Sequence, residues 1–284
     1  MIKNYIFTVT NGRSGQATLH KYLKLYSLEC LSAFEEPNIA LILPTIFSNI
    51  EKKIRRKYFE THELLGRGKV LKAYQEKNLN YLKKIAKLRI AKIEKDSQNT
   101  SISNYFDVSK FYVRGLYEGF NLILENYKLV YLVRDPLLNM KSYINRGKNF
   151  FLDNSSPSSS NNLLIIKDSL IKEELYLWSW CETFLRYNKM SKNRKVYKTL
   201  IIQTSDLDKA DKVKKAFDYL EIKYKPFTKL EKVNTNKQAG NSSTEVNKKD
   251  IQILKGFIMK LSKGNKSLIN SINLSIDKHE RNTK

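Results

Sequence analysis

The spacing of apolar positions changes within the first 26 residues. Residues 4–10 alternate β-branched and aromatic types as a short strand does, whereas Leu19, Tyr22, Leu23 and Tyr26 recur at helical spacing. Between them lies Asn11-Gly12-Arg13-Ser14-Gly15, so the chain opens as strand, glycine turn, helix. CLSAF (30–34) reads as a second strand closed by Glu35-Glu36-Pro37. Residues 45–60 and 67–95 read as helices, the latter with Val70, Leu71, Tyr74, Leu79, Leu82, Ile85 and Leu88 on a buried stripe. NYFDVS (104–109) follows as strand, and KFYVRGLYEGFNLILENY (110–127) as a helix with Leu116, Phe120, Ile123 and Leu124 inward.

KLVYLVRDP (128–136) is apolar on both faces, which places it in the middle of a parallel sheet covered by helices. NSSPSSSNN (154–162) is a loop by composition, within a mobile segment expected at about 152–162. A long helix (163–192), the strand KTLIIQ (198–203) and the helix DKADKVKKAFDYL (208–220) come next. Residues 232–250 are polar, as a segment closing over a site would be, and the tail from Ser262 is weakly amphipathic. Strands alternate with helices throughout. The expectation is one α/β domain over residues 1–284, a three-layer fold with a mainly parallel central sheet, a helical insertion at about 45–97, and ligands at the carboxyl ends of the strands.

Composition narrows the partners. With 41% hydrophobic and 11% aromatic residues, the chain carries too much apolar surface to stay disordered. Its net charge of +24 calls for an anionic partner, yet the lysines are dispersed, as in KNLNYLKKIAKLRIAKIEK (77–95), and read largely as a solvated surface. No helix-turn-helix, zinc finger or aromatic RNA-binding signature accompanies them, so nucleic acid ranks low as a partner. Cys30 and Cys181 have no metal-ligand spacing and are expected to be reduced thiols. No window is apolar and long enough to span a bilayer, and the expected location is cytoplasmic.

Two motifs carry chemistry. A helix start offers unpaired backbone N–H groups and the positive end of a dipole, so a glycine turn between strand and helix can cradle a phosphate. Gly12 and Gly15 permit the tight turn, and Arg13 adds a forked donor. The Gly-Lys-Ser/Thr ending of a nucleotide-triphosphate loop is missing, which weakens an ATP- or GTP-dependent kinase. In LVRDPLLNMKSYINR (132–146), Asp135 can cap a helix whose first residue is Pro136. Arg134 then ends the strand, and Ser142 lies about two turns into the helix, facing the same crevice. An arginine fork and a hydroxyl make a second anion pocket, so the two motifs together imply a ligand with two separated phosphates.

NGRSGQATL resembles the 5′-phosphosulfate loop of sulfotransferases, and VYLVRDPLLNMKSYINR resembles their 3′-phosphate motif, an apolar strand, Arg-Asp-Pro, then Ser eight residues after the Arg. LWSWCETFLRYNK and KTLIIQTSDL are similar to the helix and strand that follow in that family, so the resemblance spans roughly residues 4–222. It implies a P-loop-like sulfotransferase fold and transfer of a sulfuryl group from 3′-phosphoadenosine 5′-phosphosulfate to an acceptor hydroxyl, on a carbohydrate or lipid, releasing 3′,5′-diphosphoadenosine without a metal.

By this resemblance Gly12, Arg13, Ser14, Gly15, Gln16, Ala17 and Thr18 bind the 5′ end, with Arg13 at the bridging oxygen, while Arg134 and Ser142 hold the 3′-phosphate. Glu36 is the favoured general base, with Glu35 beside it. Gln16 and Ala17 replace the usual hydroxyl pair, so those contacts must come from backbone N–H, the Gln16 amide, Ser14 or Thr18. Thr204 and Ser205 stand where the family often has tyrosine and glutamate. The competing expectations are a divergent P-loop kinase, a basic nucleic-acid-binding protein, and a relative that binds nucleotide without turnover. Trp178, Trp180, Tyr131 and Tyr143 are expected to pack.

Overall fold

β1 (Asn4–Val9), β2 (Cys30–Ala33), β3 (Asn104–Asp107), β4 (Tyr127–Val133) and β5 (Val196–Gln203) form one sheet in the order β2-β3-β1-β4-β5. The computed structural model describes residues 2–34, 68–98, 100–145, 156–231, 245–261 and 265–282, with a few single positions between 44 and 66. Every strand pair is parallel: β1 meets β3 with Ile6 opposite Phe106 and β4 with Thr8 opposite Val130, and β4 meets β5 with Val133 opposite Gln203.

The two-residue period of the strands sorts the core into two layers. Phe7, Val9, Leu129, Tyr131 and Val133 point to one face. There they are covered by α2 (Lys69–Gln75), α3 (Leu79–Ser97), α4 (Leu116–Ile123), α5 (Pro136–Ile144), α6 (Lys172–Ser191), α8 (Lys248–Met259) and α9 (Lys266–Asn282). Ile6, Phe106, Val130, Leu132 and Ile202 point to the other, under α1 (Gln16–Tyr26) and α7 (Ala210–Tyr219). All seven residues of β4 are buried, as a run apolar on both faces requires. The result is a three-layer α/β architecture with an all-parallel sheet.

Several expected elements differ, each for a local reason. The segment 67–95 is two helices, because Lys77 takes a positive φ and the Asn78 side chain accepts the Tyr81 N–H to start α3 anew (3.0 Å). Leu79 and Leu88 are exposed, so the inward stripe is Val70, Leu82, Ile85 and Ile93. The helix expected over 110–127 shrinks to α4, since Gly115, at φ +136°, breaks the chain where a Cβ would collide with Tyr74.

The helix expected from 163 begins only at Lys172. Leu164 and Ile166 are buried while Leu163 and Ile165 are exposed, a period of two, and the Leu163 and Leu164 amides donate to the buried Glu182 carboxylate instead of to a helix (3.0 and 2.8 Å). The tail is a regular helix, with Leu268, Ile272 and Ile276 buried four residues apart. Residues 156–162 form turns that Asn162 closes by donating to the Ser156 carbonyl (2.7 Å). Most of the helix expected at 45–60, the polar stretch 232–244, Glu35 and Glu36 lie outside the described residues.

Candidate functional site

Because all five strands run the same way, the turns after β1, β3, β4 and β5 gather at one edge of the sheet. From β1 the chain leaves through α1 toward β2, on one side. From the adjacent β4 it leaves through α5 and α6 toward β5, on the other. The crevice between those two departures is the switch point of the topology, the place where open α/β sheets bind ligands. It is flanked by the glycine turn and by Arg134.

The turn is tightly shaped. Gly12, Arg13 and Gly15 all have positive φ (90°, 55° and 92°). A Cβ on Gly12 would fall on the Tyr143 hydroxyl, and one on Gly15 would lie 2.6 Å from Leu207 Cδ1. Arg13 is the one non-glycine in this set, a conformation that costs about 1–2 kcal/mol and is held by its neighbours. Gly15 is the N-cap of α1 and has no side chain to cap it, and no acidic residue stands in the first turn. The starting amides of α1 are thus donors at the positive end of an eleven-residue helix.

The second motif closes on the first. The Arg13 Nε donates to the Ser142 Oγ (3.2 Å), and Arg134 Nη1 donates to the Arg13 carbonyl (3.3 Å). Arg134, Ser142 and the glycine turn, 120 residues apart in sequence, therefore share one crevice. Asp135 caps α5 by accepting from the Leu137 and Leu138 amides (both 3.1 Å), with Pro136 first in the helix. Burial lowers the Arg134 pKa, with the Asp135 carboxylate opposing. A guanidinium stripped of water in this way gains from an anion at its donors.

Several side chains that build the site carry no motif. Asn139 donates to the Gly12 carbonyl and the Ser14 Oγ (2.8 and 3.2 Å) and accepts from Asn11 (3.0 Å). It stands one turn before Ser142 on the same face of α5, a spacing readable in sequence. Tyr143 stacks on Tyr176, as expected, and also donates to the Asn11 carbonyl. The Thr204 hydroxyl lies 2.8 Å from the Ser14 carbonyl and 3.1 Å from that of Val133, so this residue braces the turn. The stem of Lys110 lies against Gly12, 3.1 Å from where a Cβ would stand, which brings a further cation beside the turn.

Two expected contacts are otherwise engaged. The Gln16 amide donates to the Val108 carbonyl (3.3 Å) and the Ser14 hydroxyl to the Gly12 carbonyl (3.1 Å). The backbone amides of Gln16, Ala17 and Thr18, together with the Thr18 hydroxyl, remain the donors of that helix start. Trp178 and Trp180 are buried; the first donates to the Leu164 carbonyl and the second to that of Arg134 (both 2.9 Å), where it steadies the arginine's backbone. Tyr131 packs on Tyr187.

Glu36 lies outside the described residues. His20 meets Ser32 Oγ at 2.8 Å, and burial, with Lys24 nearby, lowers its pKa to about 4, leaving a neutral and weakly basic imidazole. Among the described residues no cluster of three His, Cys, Asp or Glu side chains could hold a metal ion, and no helix is long and apolar enough to cross a membrane. In comparisons with known proteins, no protein-family model and no curated protein matches the chain.

Proposed function

We propose that the protein is a sulfotransferase that moves a sulfuryl group from 3′-phosphoadenosine 5′-phosphosulfate to a hydroxyl of a carbohydrate or lipid. The observation that carries the reading is the meeting of Arg13, Arg134 and Ser142 at the switch point, beside a helix start. One doubly phosphorylated nucleotide has two anionic ends of the kind these groups bind, and adenosine is short enough to join them.

In this reading the α1 amides and Arg13 take the 5′ end, and Arg134 with Ser142 takes the 3′-phosphate. Arg13 stabilises the bridging oxygen as it gains charge, and Glu36 accepts the proton of the attacking hydroxyl. The acceptor oxygen forms a bond to sulfur as the sulfur–bridging oxygen bond breaks, so charge moves onto the oxygen that Arg13 faces. No metal is needed for these steps, and the cytoplasm is the proposed location.

The test is thermal unfolding with 3′,5′-diphosphoadenosine in the presence of a chelator. At a hundredfold excess over Kd the midpoint should rise by about 5 °C, and Arg134→Ala should lose most of that shift. Transfer of labelled sulfate then separates turnover from binding alone. No shift, or one that Arg134→Ala leaves intact, overturns the reading. A shift that requires magnesium and ATP replaces it with a kinase.

A further inference from the structure

On the face of the sheet carrying α1 and α7, a cleft of about 290 Å³ opens at the β5 edge. Leu19 of α1, Leu200 and Ile202 of β5, and Val213 and Phe217 of α7 form its walls. The cleft opens to solvent, and concave, mostly apolar clefts of about this size are where small ligands bind. Its apolar walls hold water poorly, because an ordered water needs two to four polar partners.

The mouth differs from the walls. Lys212 and Lys215 line it, are exposed, and form no ion pair among the described residues. Asp206, the acidic residue of the lining, already accepts the Gln203 N–H as a turn cap (3.2 Å). Ile201 and Tyr219, both about half exposed, extend the apolar lip outward. An apolar interior beneath two cations that have no ion-pair partner among the described residues complements one ligand shape, a single chain ending in an anion.

We infer that this cleft binds a single-chain acyl carboxylate, chain inward and carboxylate at Lys212 and Lys215. At ordinary packing density the cleft accommodates about ten chain carbons. Each methylene withdrawn from water strengthens binding about fourfold, so affinity depends on chain length until the space is filled. The crevice at the switch point is built from other residues, and the inference stands whether or not that crevice takes a nucleotide.

Isothermal titration of the whole chain with octanoate, decanoate and decanol tests it. Decanoate should bind one to one, about fifteenfold tighter than octanoate. Removing the charge should weaken it, so decanol and the Lys212→Glu/Lys215→Glu variant should each lose about tenfold or more. Ala216→Phe, which fills the cleft from α7, should abolish binding, with its thermal midpoint recorded to establish folding. Both lysines are exposed, so the charge-reversed variant tests the inference even if the filled one unfolds. No saturable binding of decanoate, equal affinities for octanoate and decanoate, or undiminished affinity in the charge-reversed variant would each overturn it.

Discussion

Gly12 shows how much a single position can decide. Its φ of +90° and the Tyr143 hydroxyl over its α-carbon both exclude a side chain, so Gly12→Ala should lower the unfolding free energy by about 1–3 kcal/mol. The same substitution at Gly256, in α8, meets no atom within 4 Å and has ordinary helical φ. There alanine should add up to about 1 kcal/mol through helix propensity. Urea unfolding of the two variants checks both signs. The identity of these glycines is plain in the sequence, but the opposite signs follow from what lies above each α-carbon.

At the scale of elements, the C-terminal helix pins the Arg-Asp-Pro motif. Ser275 donates to Asp135 Oδ2 (2.7 Å) and His279 Nε2 meets Asp135 Oδ1 (3.1 Å), while α8 contributes Asp250 to an ion pair with Lys141 on α5 (2.8 Å). Asp135 thus serves its own helix and α9 together. Ser275→Ala/His279→Ala should destabilise the fold by about 2–4 kcal/mol, because two hydrogen bonds to a carboxylate only 12% exposed go. Leu274→Ala, on the exposed side of the same helix, should change stability by no more than about 0.5 kcal/mol in the same chemical-denaturation series.

Strand alternation in β1 and the unbroken apolar run of β4 were legible because both are local. LLII at 163–166 was not, since four apolar residues suit a helix or an extended segment equally. The choice came from the Glu182 carboxylate, which takes the Leu163 and Leu164 amides and is itself paired with Arg186 (2.7 Å). Arg89 is a similar case, a cation on a helical stripe that turns inward to meet Asp107 and the Tyr105 hydroxyl (3.0 and 2.7 Å).

Across the whole molecule, the surplus of positive charge makes the few carboxylates consequential. Glu221, in the turn just past α7, accepts from the buried Lys128 of β4 and from Lys198 of β5 (2.6 and 2.5 Å), tying the two strands to the end of that helix. Hydrogen bonds from Lys128 and then Lys198 lower its pKa from 4.5 to about 2. Burial pulls the Lys128 pKa down despite this partner, so the cation depends on the carboxylate. With the folded-state pKa depressed, the stabilisation is complete above pH 4.5 and drains away as pH falls toward about 2. Glu221→Gln should be less stable than the native chain at neutral pH and should show a flatter acid limb, read from unfolding midpoints between pH 5 and pH 2.

The alternation of elements, the helix start after the glycine turn and the Arg-Asp-Pro cap follow from the sequence alone, because each depends on neighbours within a turn or two of chain. The pairing of Arg13 with Ser142, the bracing of the turn by Asn139 and Thr204, and the docking of the tail on Asp135 came only with the tertiary structure. Those contacts join residues more than 120 positions apart, and what selects them is the parallel order of five strands and the packing of helices on both faces, which no local period encodes.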